Sequence, residues 1–392
     1  MAFIDPGDAT EAAAQVRDLF RRVHGREPDV VARAPGRVNL IGEHTDYNGG
    51  LCLPLALAHA TTTALSRRDD DRVHVVSAQD PLPWEGELAD VGPGTVTGWA
   101  AYVVGVLWAM RESGLEIPGA DICLDSTVPL GAGLSSSAAL ECSVAAAVAG
   151  LVGLELTPET RRALARACVR GETEVAGAPT GGMDQTVAML AEPGCALLLD
   201  FDADSSRPVP LDWPAAGLGL LVTDTRVSHA LTDGGYGARR ADCERAAALL
   251  GVPSLRQADL AAVEQLGHDR IRRRARHVVT EIARVERAVT AIQDADWAEL
   301  GRLFEQSHTS MRDDFEISCL ELDTVVAAAV EAGAVGARMT GGGFGGSAIA
   351  LVPADRLEAV AAAVDARFVA EGFRAPVHLT ALASGAADAC PG

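Results

Sequence analysis

Apolar side chains recur at helical spacing in some segments of the chain and form short unbroken runs in others. Near the N-terminus, Val16, Leu19, Phe20 and Val23 share one helical face, which predicts a helix over residues 11–24. The same reasoning predicts helices over residues 102–112, 140–154, 158–175, 239–249, 275–292, 297–308 and 322–332. Short apolar runs predict strands over residues 30–34, 73–77, 122–124, 196–201, 218–223, 348–352 and 377–379. Helices and strands therefore follow one another along most of the chain.

The chain is long enough for two buried cores, with 392 residues of which 48% are hydrophobic. A stretch rich in proline, serine and aspartate, DADSSRPVPLDWP at residues 202–214, is the best candidate for a junction between two domains. We place the boundary near residue 205. This division predicts an N-terminal domain over residues 1–205 and a C-terminal domain over residues 206–392.

The net charge of -21 argues against nucleic acid and anionic membranes as partners, because both would repel such a surface. A basic run at residues 270–276 is expected to pair within the protein or to face solvent. The first residues lack the apolar segment of a secretory signal, and no apolar run approaches the ~20 residues of a membrane span. Eight scattered cysteines without a CxxC pair suit a reducing compartment. We expect a cytoplasmic protein, with no obligate protein partner evident.

The chain contains no lysine, so all 33 residues counted as lysine or arginine are arginines. A Walker A loop and a protein-kinase site each place a lysine on the nucleotide phosphates, and both are therefore excluded. Any phosphate chemistry must depend on arginine, backbone amides and a metal ion.

A segment at residues 36–50, GRVNLIGEHTDYNGG, combines polar side chains with glycines that prevent a long regular element. Acceptors at Glu43 and Asp46 alternate with a donor at Arg37, and His44 can act in either way. Because each hydroxyl of a sugar both donates and accepts, this mixture suits a polyhydroxylated ligand. The alternative is a surface loop of turn-forming residues and solvated charges.

A second segment, PLGAGLSSSAA at residues 129–139, leads into an apolar helix. Gly131 and Gly133 allow close approach of the backbone to a ligand, and the amides at the helix N-terminus can hold phosphate. The alternative is an ordinary helix start, for which one serine cap suffices. Three serines behind two glycines exceed that need and favour phosphate binding.

Two acidic residues are candidates for the chemistry. Glu172 lies on the predicted helix over residues 158–175, and Asp184 lies in the turn APTGGMDQ. One carboxylate with a serine hydroxyl suits Mg²⁺, and another near an arginine can accept a hydroxyl proton. From the residues alone, Asp184 is equally well explained as a helix N-cap.

A third glycine-rich segment begins at Met339 and reads MTGGGFGGSAIALV. Glycine loops also serve as plain turns, so this segment is weak evidence when it is taken alone. Two glycine-rich segments in one chain favour a backbone lining for a nucleotide or sugar site.

These motifs together resemble a known family. GRVNLIGEHTDYNGG resembles the galactokinase signature, PLGAGLSSSAA is similar to the phosphate motif of the GHMP kinase superfamily, and MTGGGFGGSA is similar to its third motif. SHTSMRDDFEISCLELD and RRARHVVTE also resemble galactokinase segments, so the similarity spans nearly the whole chain. The resemblance implies an α+β, two-domain GHMP kinase fold with the active site in the cleft between the domains. It also implies Mg²⁺-dependent transfer of phosphate from ATP to the anomeric hydroxyl of α-D-galactose.

The resemblance also assigns roles to individual residues. Asp184 would be the base at the anomeric hydroxyl, and Arg37 would stabilise the developing charge. The residues expected to bind the sugar are Glu43, His44, Thr45, Asp46, Gly181 and Tyr236. Those expected to bind ATP are Ser77, Trp99, Gly131, Ala132, Gly133, Leu134, Ser135, Ser136 and Ser137. Ser137 and Glu172 would bind Mg²⁺, and Trp99 has the alternative role of a core aromatic.

Two other functions remain open at this point. One is a kinase of the same fold that acts on N-acetylgalactosamine or arabinose. The other is a sensor that binds galactose and ATP without turnover. Such a sensor is expected to lack serines of the phosphate motif or the base, whereas Ser135, Ser136, Ser137 and Asp184 are all present.

Overall fold

The structure is a computed structural model that describes residues 3–227 and 234–389. Within these residues, eleven α-helices and thirteen strands form the fold. The helices are α1 (Ala9–His24), α2 (Ala100–Glu112), α3 (Ser136–Leu151), α4 (Pro158–Arg170), α5 (Met183–Leu190), α6 (Gly235–Leu250), α7 (Leu260–Glu264), α8 (Asp269–Gln293), α9 (Trp297–Ser310), α10 (Leu320–Glu331) and α11 (Leu357–Glu371). The strands are β1 (Val30–Asn39), β2 (Leu51–Cys52), β3 (Pro54–Arg67), β4 (Arg72–Ser77), β5 (Asp80–Glu87), β6 (Ala120–Ser126), β7 (Cys195–Asp200), β8 (Ser205–Pro210), β9 (Leu218–Asp224), β10 (Gly336–Thr340), β11 (Ser347–Pro353), β12 (Val377–Ala381) and β13 (Asp388–Ala389).

The first sheet has the strand order β13-β1-β3-β6-β4-β5. Neighbouring strands are antiparallel except for β4 and β6, which are parallel. Strand β1 extends to Asn39, beyond the predicted end at residue 34, and its pairing with β3 is irregular between Pro35 and Arg37. Arg37 therefore lies on a strand of the sheet, whereas the sequence pattern places it in a loop.

Helix α3 is the main buried helix against this sheet. Its buried residues are mostly alanine and valine on all sides, which is typical of a helix enclosed by other elements. It contacts β1 and β3 in the sheet and α2, α4 and α5 on its other sides. These contacts fix the position of its N-terminus, where the serine-rich segment lies.

The second sheet has the order β10-β11-β9-β12 and is antiparallel throughout. One core cluster contains Val38 and Leu55 from the first sheet together with Leu221 and Ile349 from the second. The two sheets therefore share buried apolar contacts, and the elements that face each other there are held close together.

Each predicted helix and strand has a counterpart in the structure. Sequence periodicity misses the long buried strand β3, the strands β2, β5, β8, β10 and β13, and the helices α5, α7 and α11. The helix predicted over residues 158–175 is α4 followed by one π-helical turn, Gly171–Val175.

The third sheet, β2-β7-β8, bears on the predicted domain boundary. Strand β8 forms a hairpin with β7 and occupies part of the stretch predicted as a junction. Near the other end of the chain, β13 pairs with β1 in the first sheet. The prediction that all of residues 206–392 belong to a separate C-terminal domain is therefore wrong for β13, and the boundary near residue 205 stays a prediction.

The basic run at the start of α8 is paired within the protein. Arg270 pairs with Asp242, Arg272 with Asp269, Arg273 and Arg274 with Glu316, and Arg276 with Glu264. The expectation of intramolecular pairing is confirmed. Because these arginines are paired, the basic run is not evidence for an anionic partner. Among the described residues, no helix combines the length and the apolar character that crossing a membrane requires.

Candidate active site

An arginine and an aspartate that are 147 positions apart in the chain form a bidentate ion pair. Arg37 on β1 donates from Nε to Asp184 Oδ1 and from Nη2 to Asp184 Oδ2, both at 2.9 Å. The Arg37 side chain is 6% exposed and that of Asp184 is 24% exposed. The carboxylate is thus the more accessible partner, and the guanidinium supports it from the protein side.

Asp184 is the second residue of α5, and the residue at the N-cap of this helix is Gly182. The interpretation of Asp184 as an N-cap is therefore wrong. Its carboxylate also accepts a hydrogen bond from Ser135 Oγ at 2.5 Å. A charged acceptor held by an arginine and a hydroxyl, with one side open, is placed to receive a ligand hydroxyl.

Helix α3 begins without a side-chain cap. Ser135 occupies its N-cap position, but the backbone of this serine has a φ of 60° and its side chain makes no capping hydrogen bond. The hydroxyl is directed to Asp184 instead. The interpretation as an ordinary serine-capped helix start is therefore wrong. The first amides of α3 are left without a capping side chain, which is the arrangement that binds phosphate at helix N-termini.

The turn before α3 presents backbone rather than side chains. Ala132 and Leu134 are buried, and the carbonyl oxygen of Leu134 accepts a hydrogen bond from Arg37 N at 3.1 Å. Gly131 and Gly133 have φ values of 72° and 70°, which glycine adopts without steric cost. A second bond runs from Arg37 Nη1 to the Gly133 carbonyl at 2.6 Å. The turn is thus joined directly to the ion pair.

The third glycine-rich segment packs against this turn. A Cβ on Gly341 would lie 2.8 Å from the carbonyl oxygen of Gly133, and a Cβ on Gly346 would lie 3.0 Å from that of Ala132. Ser347 Oγ donates to the Ala132 carbonyl at 2.7 Å. The segment supports the turn through backbone contacts that side chains would prevent, while its predicted contact with a ligand stays a prediction.

The His44 ring beside the site is held in one orientation by hydrogen bonds and is neutral. Its Nε2 lies 3.1 Å from the carbonyl oxygen of Gly342 and its Nδ1 lies 2.8 Å from Tyr47 Oη. Because a carbonyl oxygen only accepts, Nε2 carries the proton and Nδ1 accepts from the tyrosine. Burial lowers the pKa of His44 to about 3. The ring also packs against Tyr236 and Phe315, with centroid distances of 5.0 and 4.9 Å.

Two of the predicted sugar-binding side chains face the protein interior. Glu43 is 1% exposed, and its carboxylate accepts from Arg338 and from the backbone amide of Gly341. Thr45 is 0% exposed, and its hydroxyl lies 2.7 Å from the Leu51 carbonyl. These bonds hold the loop in place, and contact of either residue with a sugar stays a prediction.

The partner of Glu43 belongs to a buried charge network that the sequence did not indicate. Arg338 on β10 is 0% exposed and donates to the Leu40 carbonyl at 2.7 Å. It also lies 3.6 Å from Glu281 on α8, which in turn accepts from the Gly42 amide at 3.0 Å. The network therefore ties Leu40, Gly42 and Glu43 of the polar segment to the C-terminal half of the chain. A single arginine within a short strand gives no pattern by which it could have been found.

Asp46, Gly181 and Tyr236 lie beside the catalytic candidates. A Cβ on Gly181 would overlap the Asp46 carboxylate, so only glycine allows this close approach. Burial, followed by the negative charge of Asp184, raises the pKa of Asp46 to about 6. Burial, followed by the charge of Asp46, raises the pKa of Tyr236 well above its ordinary value. Both side chains are therefore close enough to Asp184 to be affected by its charge.

The titration of Asp46 predicts how stability depends on pH. Folding raises its pKa from the ordinary 3.8 to about 6, so its contribution is complete below pH 3.8 and is lost as pH rises through about 6. We expect one contribution to the free energy of unfolding to decrease as pH rises from 3.8 to about 6. The Asp46→Asn variant lacks this contribution. Urea unfolding at a series of pH values measures it. Identical pH slopes in the two proteins would contradict the assignment.

Comparisons with known proteins match this arrangement of residues. Models for the galactokinase galactose-binding signature, the GHMP kinases N terminal domain and the GHMP kinases C terminal match residues 18–67, 101–192 and 288–370. A galactokinase of Streptomyces coelicolor is 52% identical over 381 residues, which cover 96% of this chain and 98% of that protein. The chain belongs to the galactokinase family.

Other members of the galactokinase family agree in sequence and in structure. A galactokinase of Mycobacterium bovis is 46% identical over 369 residues, covering 91% of this chain and 98% of that protein. The crystal structure of Lactococcus lactis galactokinase complexed with galactose superposes with a TM-score of 0.89 at 31% identity, covering 95% of this chain and 98% of that one. The predicted resemblance and the α+β GHMP kinase fold are confirmed.

The residues that the galactokinase resemblance assigns to Mg²⁺ lie together. Glu172 is buried in the π-helical turn after α4, and the hydroxyl of Ser137 on α3 donates to it. Burial, followed by the charge of Asp184, raises the pKa of Glu172 to about 7. One carboxylate and one hydroxyl fit Mg²⁺, which takes few protein oxygens together with water and phosphate oxygens.

Two further residues of this galactokinase-family chain were predicted to lie near the nucleotide. Ser77 ends β4, and its hydroxyl accepts from the Gln79 amide at 3.1 Å. Trp99 precedes α2 and packs, partly buried, against the core of the first sheet. This packing fits the alternative role of Trp99 as a core aromatic. Nucleotide contact by either residue stays a prediction.

Proposed function

We propose that this chain transfers the γ-phosphoryl group of ATP to the anomeric hydroxyl of α-D-galactose. The observation that carries the proposal is the Arg37–Asp184 pair, joined to the uncapped N-terminus of α3 by Ser135 Oγ and the Gly133 carbonyl. The Asp184 carboxylate, which can accept a hydroxyl proton, thus lies beside the N-terminus of α3, which can bind an anion. Family membership and the galactose-bound L. lactis relative support galactose as the sugar.

In the proposed reaction, the anomeric oxygen forms a bond to the γ-phosphorus and the bond from that phosphorus to ADP breaks. Asp184 orients the hydroxyl and accepts its proton, and Arg37 stabilises the negative charge that develops. The candidates for holding the sugar are Glu43, His44, Thr45, Asp46, Gly181 and Tyr236. Phosphoryl transfer depends mainly on such positioning and on charge stabilisation, and needs no covalent intermediate with the protein.

The phosphates of ATP are proposed to lie on the amides of residues 131–137. Here the dipole of α3 and its unpaired amides favour negative charge. Ser137 and Glu172 would hold Mg²⁺, which supplies positive charge to the phosphate oxygens when it is bound. In a chain with a net charge of -21, these local donors provide the attraction for an anionic substrate.

We further propose that the protein acts in the cytoplasm on small molecules, without an obligate protein partner. Free, mostly buried cysteines such as Cys52, Cys123 and Cys142 suit a reducing compartment. The proposed substrates, ATP and a sugar, are both available in that compartment. The fluorescence of a tagged chain, measured in separated cell fractions, tests this location, and we expect the signal in the cytoplasmic fraction.

A panel of sugars tests substrate and activity together. ADP release is measured with ATP, Mg²⁺ and galactose, N-acetylgalactosamine or arabinose, and NMR locates the phosphate on the product. We expect the highest kcat/KM with galactose, a phosphate on C1, and no turnover of methyl α-D-galactoside, whose anomeric oxygen is blocked. A higher kcat/KM with another sugar would replace the substrate. Sugar and ATP binding without ADP release would indicate the sensor function instead.

A further inference from the structure

Helix α3 buries a glutamate that has no cationic partner among the residues that the structure describes. Glu141 is 0% exposed in a helix whose other buried residues are alanine, valine, serine and cysteine. Its Oε2 accepts a hydrogen bond from Gln185 Nε2 at 2.9 Å, and its Oε1 has no partner among the described residues. Burial of a carboxyl group is costly, so its presence in the middle of a packed helix requires a compensating role.

The amide of Gln185 is held between two carboxyl groups. Gln185 is also 0% exposed, and the same Nε2 that donates to Glu141 donates to Glu172 Oε2 at 2.5 Å. An amide nitrogen has two N–H groups, so the two bonds use its full donor capacity. The position of Glu141 therefore determines where Gln185 directs its second hydrogen, and this hydrogen restrains the Glu172 carboxylate.

Each of the three linked elements carries a group of the proposed site. Ser137 lies one helical turn before Glu141 on α3, Asp184 is adjacent to Gln185 on α5, and Glu172 is on the π-helical turn after α4. A single buried network thus spans the elements that supply a hydroxyl, a carboxylate and the base. The Arg37 guanidinium bonds to Asp184 and not to this network.

We propose that Glu141 is a positioning residue for the cation site, acting through Gln185 to hold Glu172 in the orientation that binds a divalent cation. This inference rests on the proposed function, in which Glu172 and Ser137 hold Mg²⁺. Glu141 does not reach substrate, because it is fully buried. Removing the groups that hold metal ligands by hydrogen bonds commonly lowers metal affinity by about 10- to 100-fold.

The test measures how strongly Mg²⁺ enhances the binding of a nonhydrolysable ATP analogue. Dissociation constants of AMP-PNP are determined calorimetrically with and without Mg²⁺ for wild type, Glu141→Met and Glu141→Gln. We expect Glu141→Met to lose about 10-fold or more of the Mg²⁺ enhancement, because Gln185 then has no second acceptor. Glu141→Gln keeps an acceptor oxygen at this place and is expected to retain the enhancement within about threefold of wild type.

Ser143→Ala is the matched control on the same helix. Its buried hydroxyl contacts Thr63 at 2.7 Å and lies outside the network, so this variant loses stability without losing the Mg²⁺ enhancement. If Glu141→Met does not fold, Gln185→Asn replaces it, since the shorter amide cannot bridge both carboxyl groups.

The outcomes separate the inference from the proposed function. An unchanged enhancement in folded Glu141→Met or Gln185→Asn, with only a lower melting temperature, would overturn the positioning role and leave the cation site in place. A wild-type protein whose AMP-PNP binding does not respond to Mg²⁺ would overturn the cation site as well.

Discussion

The Asp184→Asn variant is expected to lose about 10²- to 10⁴-fold in kcat while galactose binding stays measurable. Asparagine keeps the shape of the side chain but cannot accept the proton of the anomeric hydroxyl. It also leaves Arg37 without the anionic half of a bidentate pair whose two bonds are 2.9 Å long. Steady-state ADP release gives kcat, and calorimetry with galactose gives the dissociation constant.

Asp242→Asn provides the matched control for this loss. Asp242 forms a bidentate pair with Arg270, at 2.7 and 2.8 Å, which makes the two pairs closely similar in geometry. Asp242→Asn removes the same charge from a pair away from the proposed chemistry. We expect its kcat to stay within about threefold of wild type. A kcat of Asp184→Asn close to that of the control would refute the role of Asp184.

The Arg338→Met variant is expected to be destabilised by about 3–5 kcal/mol, because it leaves the buried Glu43 carboxylate without its cation and leaves Glu281 with Arg284 alone. Arg338 is 0% exposed and contacts both Glu43 and Glu281. Although burial opposes ionisation, Arg284 and Arg338 lower the pKa of Glu281 to about 2, so the folded network contains a charged carboxylate. The free energy of unfolding in urea measures the loss.

Two comparisons make the Arg338 result specific. Arg273→Met removes an arginine that is 28% exposed from its pair with Glu316, and such surface pairs are worth less than about 1 kcal/mol. Adding Glu43→Gln to Arg338→Met removes the carboxylate that lost its cation and is expected to restore part of the stability. Equal stability of Arg338→Met and wild type would show that this network does not hold the loop.

The sequence predicts the fold well where one kind of periodicity dominates a segment. Helices α1 and α9 have one apolar face, and their predicted bounds lie within two residues of the observed ones. Strand β3 was missed because it is buried along nearly its whole length and is rich in alanine and threonine, so its two faces do not alternate. Strand β8 was missed because its serines and prolines are typical of a junction.

The sequence identified the segments that form the site, but not most of the contacts between their side chains. Composition identified the polar loop and the serine segment, and the family resemblance paired Arg37 with Asp184. Neither source indicates that Ser135 gives its hydroxyl to Asp184, since this depends on a left-handed backbone at a helix start. Nor do they distinguish Glu43, which faces Arg338, from Asp46, which faces Asp184. Such differences arise from tertiary packing over long sequence separations.

The most direct measurement of the central claim is a crystal structure with galactose and a nonhydrolysable ATP analogue bound together. The account predicts the anomeric oxygen within about 2.6–3.2 Å of the Asp184 carboxylate and beside the Arg37 guanidinium. It also predicts the γ-phosphate in line with that oxygen, with the nucleotide phosphates on the first amides of α3. An anomeric oxygen directed away from Asp184, or phosphates bound elsewhere, would contradict it.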